Sequence, residues 1–292
     1  MKTVLIVGCG DVAQRALPWL VDRFRVIAMI RDEGQRVALR KRGVRTIMAD
    51  LDDRTSLQRI AGLADFVIHT APPPAIGTTD TRTRHLLAAL ALGGCRPRRV
   101  VYVSTTGVYG DCGGALVSET RPVAPESARA TRRVDAERRL RRFARRSGTS
   151  VAILRAPGIY AADRLPTDRL IRRDPALQRE EDVFTNHVHA EDLARLICLA
   201  LVRGGNGRIW NACDDTDLRM GDYFDLVADR LKLPRPPRVS RDELATQVSA
   251  MTLSFMRESR RLVNARLKRE LRARLIYPDV HAGLAAVPPA PL

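Results

Sequence analysis

The run IVGCGDVAQRAL (6–17) carries the spacing Gly8-x-Gly10-x-x-Ala13. Gly8 permits a tight turn, Gly10 lets the backbone approach a pyrophosphate, and Ala13 allows a helix to pack closely on a strand. The amides that open the helix, at Asp11 and Val12, would then meet phosphate oxygens, with the helix dipole favouring their negative charge. This is the chemistry of dinucleotide binding. Downstream, AMIRDE places Arg31 where an acidic residue would hold the adenosine ribose of NAD. A guanidinium there pairs with a 2′-phosphate, so the expected cofactor is NADP. The alternative is NAD, with Asp32 on the ribose and Arg31 merely exposed. In MADLDD, Asp50 is expected to meet the adenine edge and Leu51 to pack against the ring, while in IHTAPPP, Thr70, Ala71 and Pro72 should line the cofactor. His69, the last residue of a buried strand, reads as structural before it reads as catalytic.

These residues need a frame that brings them together. Apolar, β-branched runs at 3–8, 25–30, 45–49, 65–70, 99–104 and 150–155 predict strands. Amphipathic segments near 11–22, 34–42, 53–61, 79–92 and 126–146 predict the helices between them. Continuously apolar strands alternating with helices imply an α/β fold, a parallel sheet covered on both faces. Right-handed crossovers make it a Rossmann-type doubly wound sheet, in the order 3-2-1-4-5-6. After about residue 156 the rhythm loosens into a segment rich in proline and charge. A helix near 190–202, a strand-like GRIWNAC (207–213) and helices near 220–231 and 241–250 follow. The expected organisation is a nucleotide-binding domain over 1–156 and a smaller substrate lobe over 157–292, interleaved with the sheet's last elements. The tail AAVPPAPL should be loose.

Composition narrows the classes. The chain has 292 residues and a net charge of +17, with four lysines among its 50 basic residues. Arginine and alanine in such excess are what a GC-rich coding sequence produces. Aromatics make up only 4%, too few for base-stacking platforms, so no specific nucleic-acid partner is expected. No run of about 18 apolar residues predicts a membrane span. MKTVLIVGCG reads as a first strand instead of a signal peptide. Cys9, Cys95, Cys112, Cys198 and Cys213 show no CxxC spacing, which argues against a zinc site or a disulfide framework and fits the cytoplasm.

With VGCGDVA, ADLDD, VYVSTTGVYG, RAPGIY and HVHAEDLA in this order, the chain resembles the extended short-chain dehydrogenase/reductases, the NAD-dependent epimerase/dehydratase group, over nearly its whole length. The stretch ESRRLVNARLKRELRARLIYPDVHAGL is similar to the C-terminus of atypical, epimerase-like members. That resemblance implies oxidoreductase, epimerase or dehydratase chemistry on a small carbonyl or sugar-type substrate, and a homodimer built through the helices around 126–146. It also implies a Ser or Thr at the end of the fifth strand working with a Tyr-x-x-x-Lys pair on the next helix.

Here the chain departs from the pattern. Thr105, with Thr106 as alternative, fills the Ser/Thr position. In ARATRRVDAERRL the family glutamate corresponds to Glu137, which puts Arg133 at the lysine and Arg129 at the tyrosine. The loss does not depend on that register. None of Tyr102, Tyr109, Tyr160, Tyr223 and Tyr277 has lysine four residues later, and no lysine lies between Lys41 and Lys232. Arginine stays protonated and cannot relay a proton. General acid–base catalysis is worth roughly 10²–10⁴ in rate, so another group must supply it or the protein turns over nothing. Among segments that border the substrate cleft in relatives, Tyr160 and His189 are the candidates, although His189, beside Glu191 and Asp192, reads as structural at the start of a helix before it reads as catalytic. Pro157 and Gly158 should shape the wall beside the nicotinamide. The alternative to an enzyme is a sensor or regulator that binds NADP(H) without turnover.

Overall fold

The computed structural model describes residues 1–92, 94–248, 253 and 256–287. Seven strands form one sheet: β1 (Thr3–Val7), β2 (Arg25–Ile30), β3 (Arg45–Met48), β4 (Phe66–His69), β5 (Arg99–Thr105), β6 (Ser150–Ala156) and β7 (Arg208–Asn211). Their order is β3-β2-β1-β4-β5-β6-β7, and every pairing is parallel. The expected six-strand order is present, and GRIWNAC supplies a seventh strand at the edge beside β6.

Strand composition follows from burial on both faces. Along β1, Val4 and Ile6 enter one core with Leu17 and Leu20 of α1 (Asp11–Val21), while Leu5 and Val7 enter the other. The first face is covered by α1, α2 (Gln35–Lys41) and α5 (Ala190–Arg203); the second by α3 (Thr81–Leu92) and α4 (Ala128–Ser147). Successive strand residues point to opposite faces, so a strand covered twice has no place for polar alternation. The segment near 53–61 forms only a short 3₁₀ turn, Ser56–Ile60. Ser56 Oγ accepts the Asp50 amide and donates to the Asp53 carbonyl, local bonds that compete with a longer helix.

The helix α4 carries Arg129, Arg133 and Glu137. Ser127 caps its N-terminus by accepting the Ala130 amide, Gly148 ends it in a left-handed conformation (φ 74°), and Arg145 and Arg146 face the negative end of its dipole. Val134, Ala136 and Leu140 bury its inner side.

In the second half, α5 and β7 return to the main sheet. The rest surrounds α6 (Met220–Leu231) with a separate core that includes Tyr160, Leu177, Phe224, Val227 and Leu284. The segment after 156, read from sequence as irregular, holds a strand at Gly158–Tyr160, paired with His187–His189, and a short helix at Thr167–Ile171. The helix expected near 241–250 runs over Arg241–Gln247, and its last positions, 249 and 250, lie outside the described residues. The same holds for most of the C-terminal tail, 288–292. Among the described residues, no helix is long and apolar enough to cross a membrane.

Candidate active site

The sheet reverses direction of winding between β1 and β4, and a crevice opens at their C-terminal ends, where doubly wound sheets bind ligands. It comprises a cavity of about 450 Å³ and one of about 650 Å³, and Thr70 lines both.

The smaller cavity is lined by Gly8, Gly10, Arg31, Asp50, Leu51, Thr70, Ala71 and Pro72, residues the sequence assigns to the cofactor. Gly8 has φ 92°, and a Cβ there would stand 2.4 Å from the Ala71 backbone nitrogen. Only glycine fits. A Cβ on Gly10 would meet nothing within 4 Å, so its backbone faces open space. No side chain caps the start of α1. The Asp11 carboxylate is turned aside to Arg15 (2.9 Å) and Arg164 (3.0 Å), which leaves the amide end of the helix to an anion. Val12 lines the larger cavity and Ala13 is buried against the sheet. This cradle fits the diphosphate of a dinucleotide.

Arg31 is exposed at the edge of the cavity. Asp32, the rival ribose ligand, spends one carboxylate oxygen on the Gly34 amide at 2.9 Å. The sequence reading missed Arg82, which also lines this cavity and is gripped by Asp52 through both carboxylate oxygens. That pairing holds the Asp52 carboxyl below the usual range. Arg82 sits on a helix and Asp52 in a turn, so no sequence spacing announces the contact. His69 is buried, its Nε2 is 2.9 Å from the Thr83 hydroxyl, and burial lowers its pKa to about 3. It is a neutral structural residue.

The larger cavity gathers Thr105, Arg129, Arg133 and Pro157. Thr105 ends β5 and accepts the Gly107 amide (3.3 Å), while Thr106 lines the wall beside it. Three residues spaced by four, Arg129, Arg133 and Glu137, share one side of α4. Arg129 stands exposed at the mouth. Arg133 reaches inward, its Nη1 donating to the Tyr102 hydroxyl and the Val103 carbonyl, each at 2.9 Å. Glu137 is buried, accepting from Ser104 Oγ at 2.7 Å and from Arg155 at 2.6 and 3.0 Å. Glu137 therefore locks α4 to β5 and β6, and this fixes where Arg129 and Arg133 project.

Tyr160 does not join this constellation. Its side chain is buried in the second core, its hydroxyl donates to the Asp279 carbonyl at 3.1 Å, and burial pushes its phenol far up. Gly283 makes room for it, since a Cβ there would lie 2.3 Å from the hydroxyl oxygen. Tyr160 is not among the residues that line the larger cavity, contrary to the expectation that it borders the reacting groups. His189 is likewise absent from the lining: its Nδ1 accepts the Glu191 amide at 3.2 Å and caps α5. Tyr109 donates to Asn211 at 2.7 Å and lies under Arg155 as a packing residue.

The residues missed from sequence are His187, Tyr223, Arg169, Glu258 and Arg260, all lining the larger cavity. The His187 ring lies 4.1 Å from that of Tyr223, and burial lowers its pKa to about 3. Both belong to the second half, where no motif gives a register. The HVH alternation on a strand is the one signal that could have exposed His187. Among the described residues, no cluster of His, Cys, Asp and Glu could hold a metal, and all five cysteines are unpaired.

A doubly wound sheet with a glycine-built anion cradle at its switch point defines a Rossmann-type nucleotide-binding protein. The profile of the NAD dependent epimerase/dehydratase family matches residues 16–213, and the chain belongs to that family. It is 30% identical over 192 residues to Protein YeeZ of Escherichia coli K12, a match that spans 65% of this chain and 66% of that protein. Among solved structures, it is similar to a functionally unknown conserved protein from Silicibacter pomeroyi, with 28% identity, 98% of each chain covered and a TM-score of 0.80. The UDP-glucose 4-epimerase of Thermotoga maritima shares the fold with a TM-score of 0.79 at 19% identity, over 98% of this chain and 97% of that one. The dTDP-glucose 4,6-dehydratase of Streptomyces venezuelae, solved with NAD bound, has a TM-score of 0.77 at 21% identity, over 98% and 95% of the two chains.

Proposed function

We propose that this protein is an NAD(P)-binding oxidoreductase of the epimerase/dehydratase type that prefers NADP and acts on a small carbonyl or sugar-type substrate. The observation that carries the reading is one crevice in which the glycine cradle and the Thr105–Arg129–Arg133 constellation adjoin through Thr70. The bound cofactor would supply the hydride acceptor or donor. Gly8, Gly10 and the amides opening α1 hold the diphosphate; Arg31 pairs with the 2′-phosphate; Asp50 and Leu51 border the adenine; Pro157 flanks the nicotinamide end. Thr105 Oγ1 donates to a substrate oxygen. Arg133 and Arg129 stabilise the negative charge that hydride transfer leaves on that oxygen, and the proton gained or lost there exchanges with solvent water entering the cavity.

Fluorescence titration tests the cofactor reading. NADPH is expected to bind at least about tenfold more tightly than NADH, a difference of about 1.4 kcal/mol, and Arg31→Ala should abolish the preference. Equal affinities in the wild type would remove Arg31 from the role. With a turned-over substrate in hand, Thr105→Ala should cost at least about tenfold in rate, while Tyr160→Phe should leave it within a factor of about two. NADPH binding without oxidation against a broad carbonyl and sugar-nucleotide panel would favour a sensor instead.

A further inference from the structure

Most of this chain's arginines belong to a surface bias of composition, but four line the larger cavity: Arg129, Arg133, Arg169 and Arg260. Among the described lining residues, Glu258 is the one carboxylate facing them. It is paired with Arg260 at 2.7 Å, and its charge also reaches Arg129. The hydrogen bonds of Arg133 go to neutral oxygens, the Tyr102 hydroxyl and the Val103 carbonyl. Arg169 donates to the Pro175 carbonyl, with its guanidinium 4.6 Å from the Phe224 ring centroid. The Nε atoms of Arg169 and Arg260 are buried without a hydrogen-bond partner. Four guanidiniums thus face one carboxylate within a concave wall, where the field of like charges is focused and an anion gains charge-assisted hydrogen bonds. The same wall carries the apolar side chains of Ile159, Phe184, Met220, Phe224 and Met256.

We propose that the larger cavity takes a small organic oxyanion, a carboxylate or a phosphate ester, with its charge among these arginines and its carbon skeleton against Phe184 and Phe224. This rests on reading the cavity as the substrate half of the proposed enzyme. About 650 Å³ must also admit the nicotinamide end of the cofactor, so the remaining space suits a compact ligand and not a second nucleotide. The charge comes from two sides: Arg129 and Arg133 on α4, and Arg169 and Arg260 on the C-terminal lobe.

Calorimetric titration with benzoate, phenyl phosphate and the neutral isostere benzamide, with and without saturating NADPH, tests the proposal. One of the anions should bind saturably and at least about tenfold more tightly than benzamide, and the tighter anion identifies the source of the oxyanion. Arg133→Gln and Arg169→Gln should each erase most of that advantage, while Arg169→Lys keeps part of it. Benzamide binding as tightly as both anions, no saturable anion binding, or undiminished binding in both glutamine variants would overturn the proposal. NADPH titration of the same samples shows whether each variant keeps its fold, and Arg260→Gln replaces any that does not. Failure of NADPH binding in the wild type would count against the cofactor reading alone.

Discussion

The two halves of the crevice are built from different materials. Where the smaller cavity meets the start of α1 its wall is backbone: the Gly8 turn, the open face of Gly10 and the first amides of α1. The larger cavity is lined by side chains, Arg129 and Arg133 among them, and no tyrosine of the sequence has a lysine four residues later. A backbone cradle is set by the path of the chain and survives almost any change that keeps its glycines. A side-chain constellation can exchange its chemistry while its scaffold stays in place. Glu137, Ser104 and Arg155 are that scaffold, fixing α4 against the sheet whatever α4 carries one and two turns earlier.

The largest effect expected from breaking this arrangement is at the scaffold. Glu137→Ala leaves Arg155 buried with its charge uncompensated and should cost about 3–5 kcal/mol in urea unfolding. A loss below about 1 kcal/mol, typical of an exposed pair, would mean that the pair does not hold α4. A pH effect of similar order is expected beneath the larger cavity. The Asp214 backbone N–H donates to the His187 carbonyl at 2.8 Å, and its Oδ2 is buried without a partner. Burial raises its carboxyl pKa from 3.8 to about 7, with Asp215 and Asp279 adding in the same direction. A carboxyl raised in the folded state contributes stability that is complete below the unfolded value and lost as pH rises through the folded one. The melting temperature should therefore fall between about pH 4 and pH 7, and Asp214→Asn should flatten that slope. An unchanged slope in the variant would relocate the effect to another group.

A smaller effect sharpens the contrast between halves. Gly8→Ala should destabilise the fold by about 2 kcal/mol or more, because its Cβ meets backbone at a positive φ. Gly10→Ala meets open space, so stability should stay within about 0.5 kcal/mol while NADPH affinity drops. Equal stability losses at the two glycines would show that Gly10 is structural and not a phosphate approach.

Much of the fold was legible in the sequence because burial on both faces writes itself as uninterrupted apolar runs. β1 to β6 lie within a residue or two of the predicted strands, and the Gly8–Gly10 cradle follows from a local turn. The larger cavity was legible at Thr105, at Pro157 and along α4, where one helix carries its own spacing from Glu137 back to Arg129. Tyr160 shows where that ends. Its motif places it near the cleft, but a contact 119 residues away, to the Asp279 carbonyl, turns its hydroxyl into the second core. Arg169, His187 and Arg260 reach the cavity from a short helix, a short strand and a loop, whose spacing records nothing of where they converge.

In the proposed enzyme the nicotinamide end meets fixed cations and a threonine hydroxyl in place of a phenol. A crystal structure with NADP⁺ bound tests it most directly. Thr105, Arg129 and Arg133 should surround the nicotinamide and its ribose, with Arg31 on the 2′-phosphate and no tyrosine hydroxyl within hydrogen-bonding reach of the reacting carbon's substrate site. A tyrosine hydroxyl at that site, or Arg129 and Arg133 both turned to bulk solvent, would contradict it.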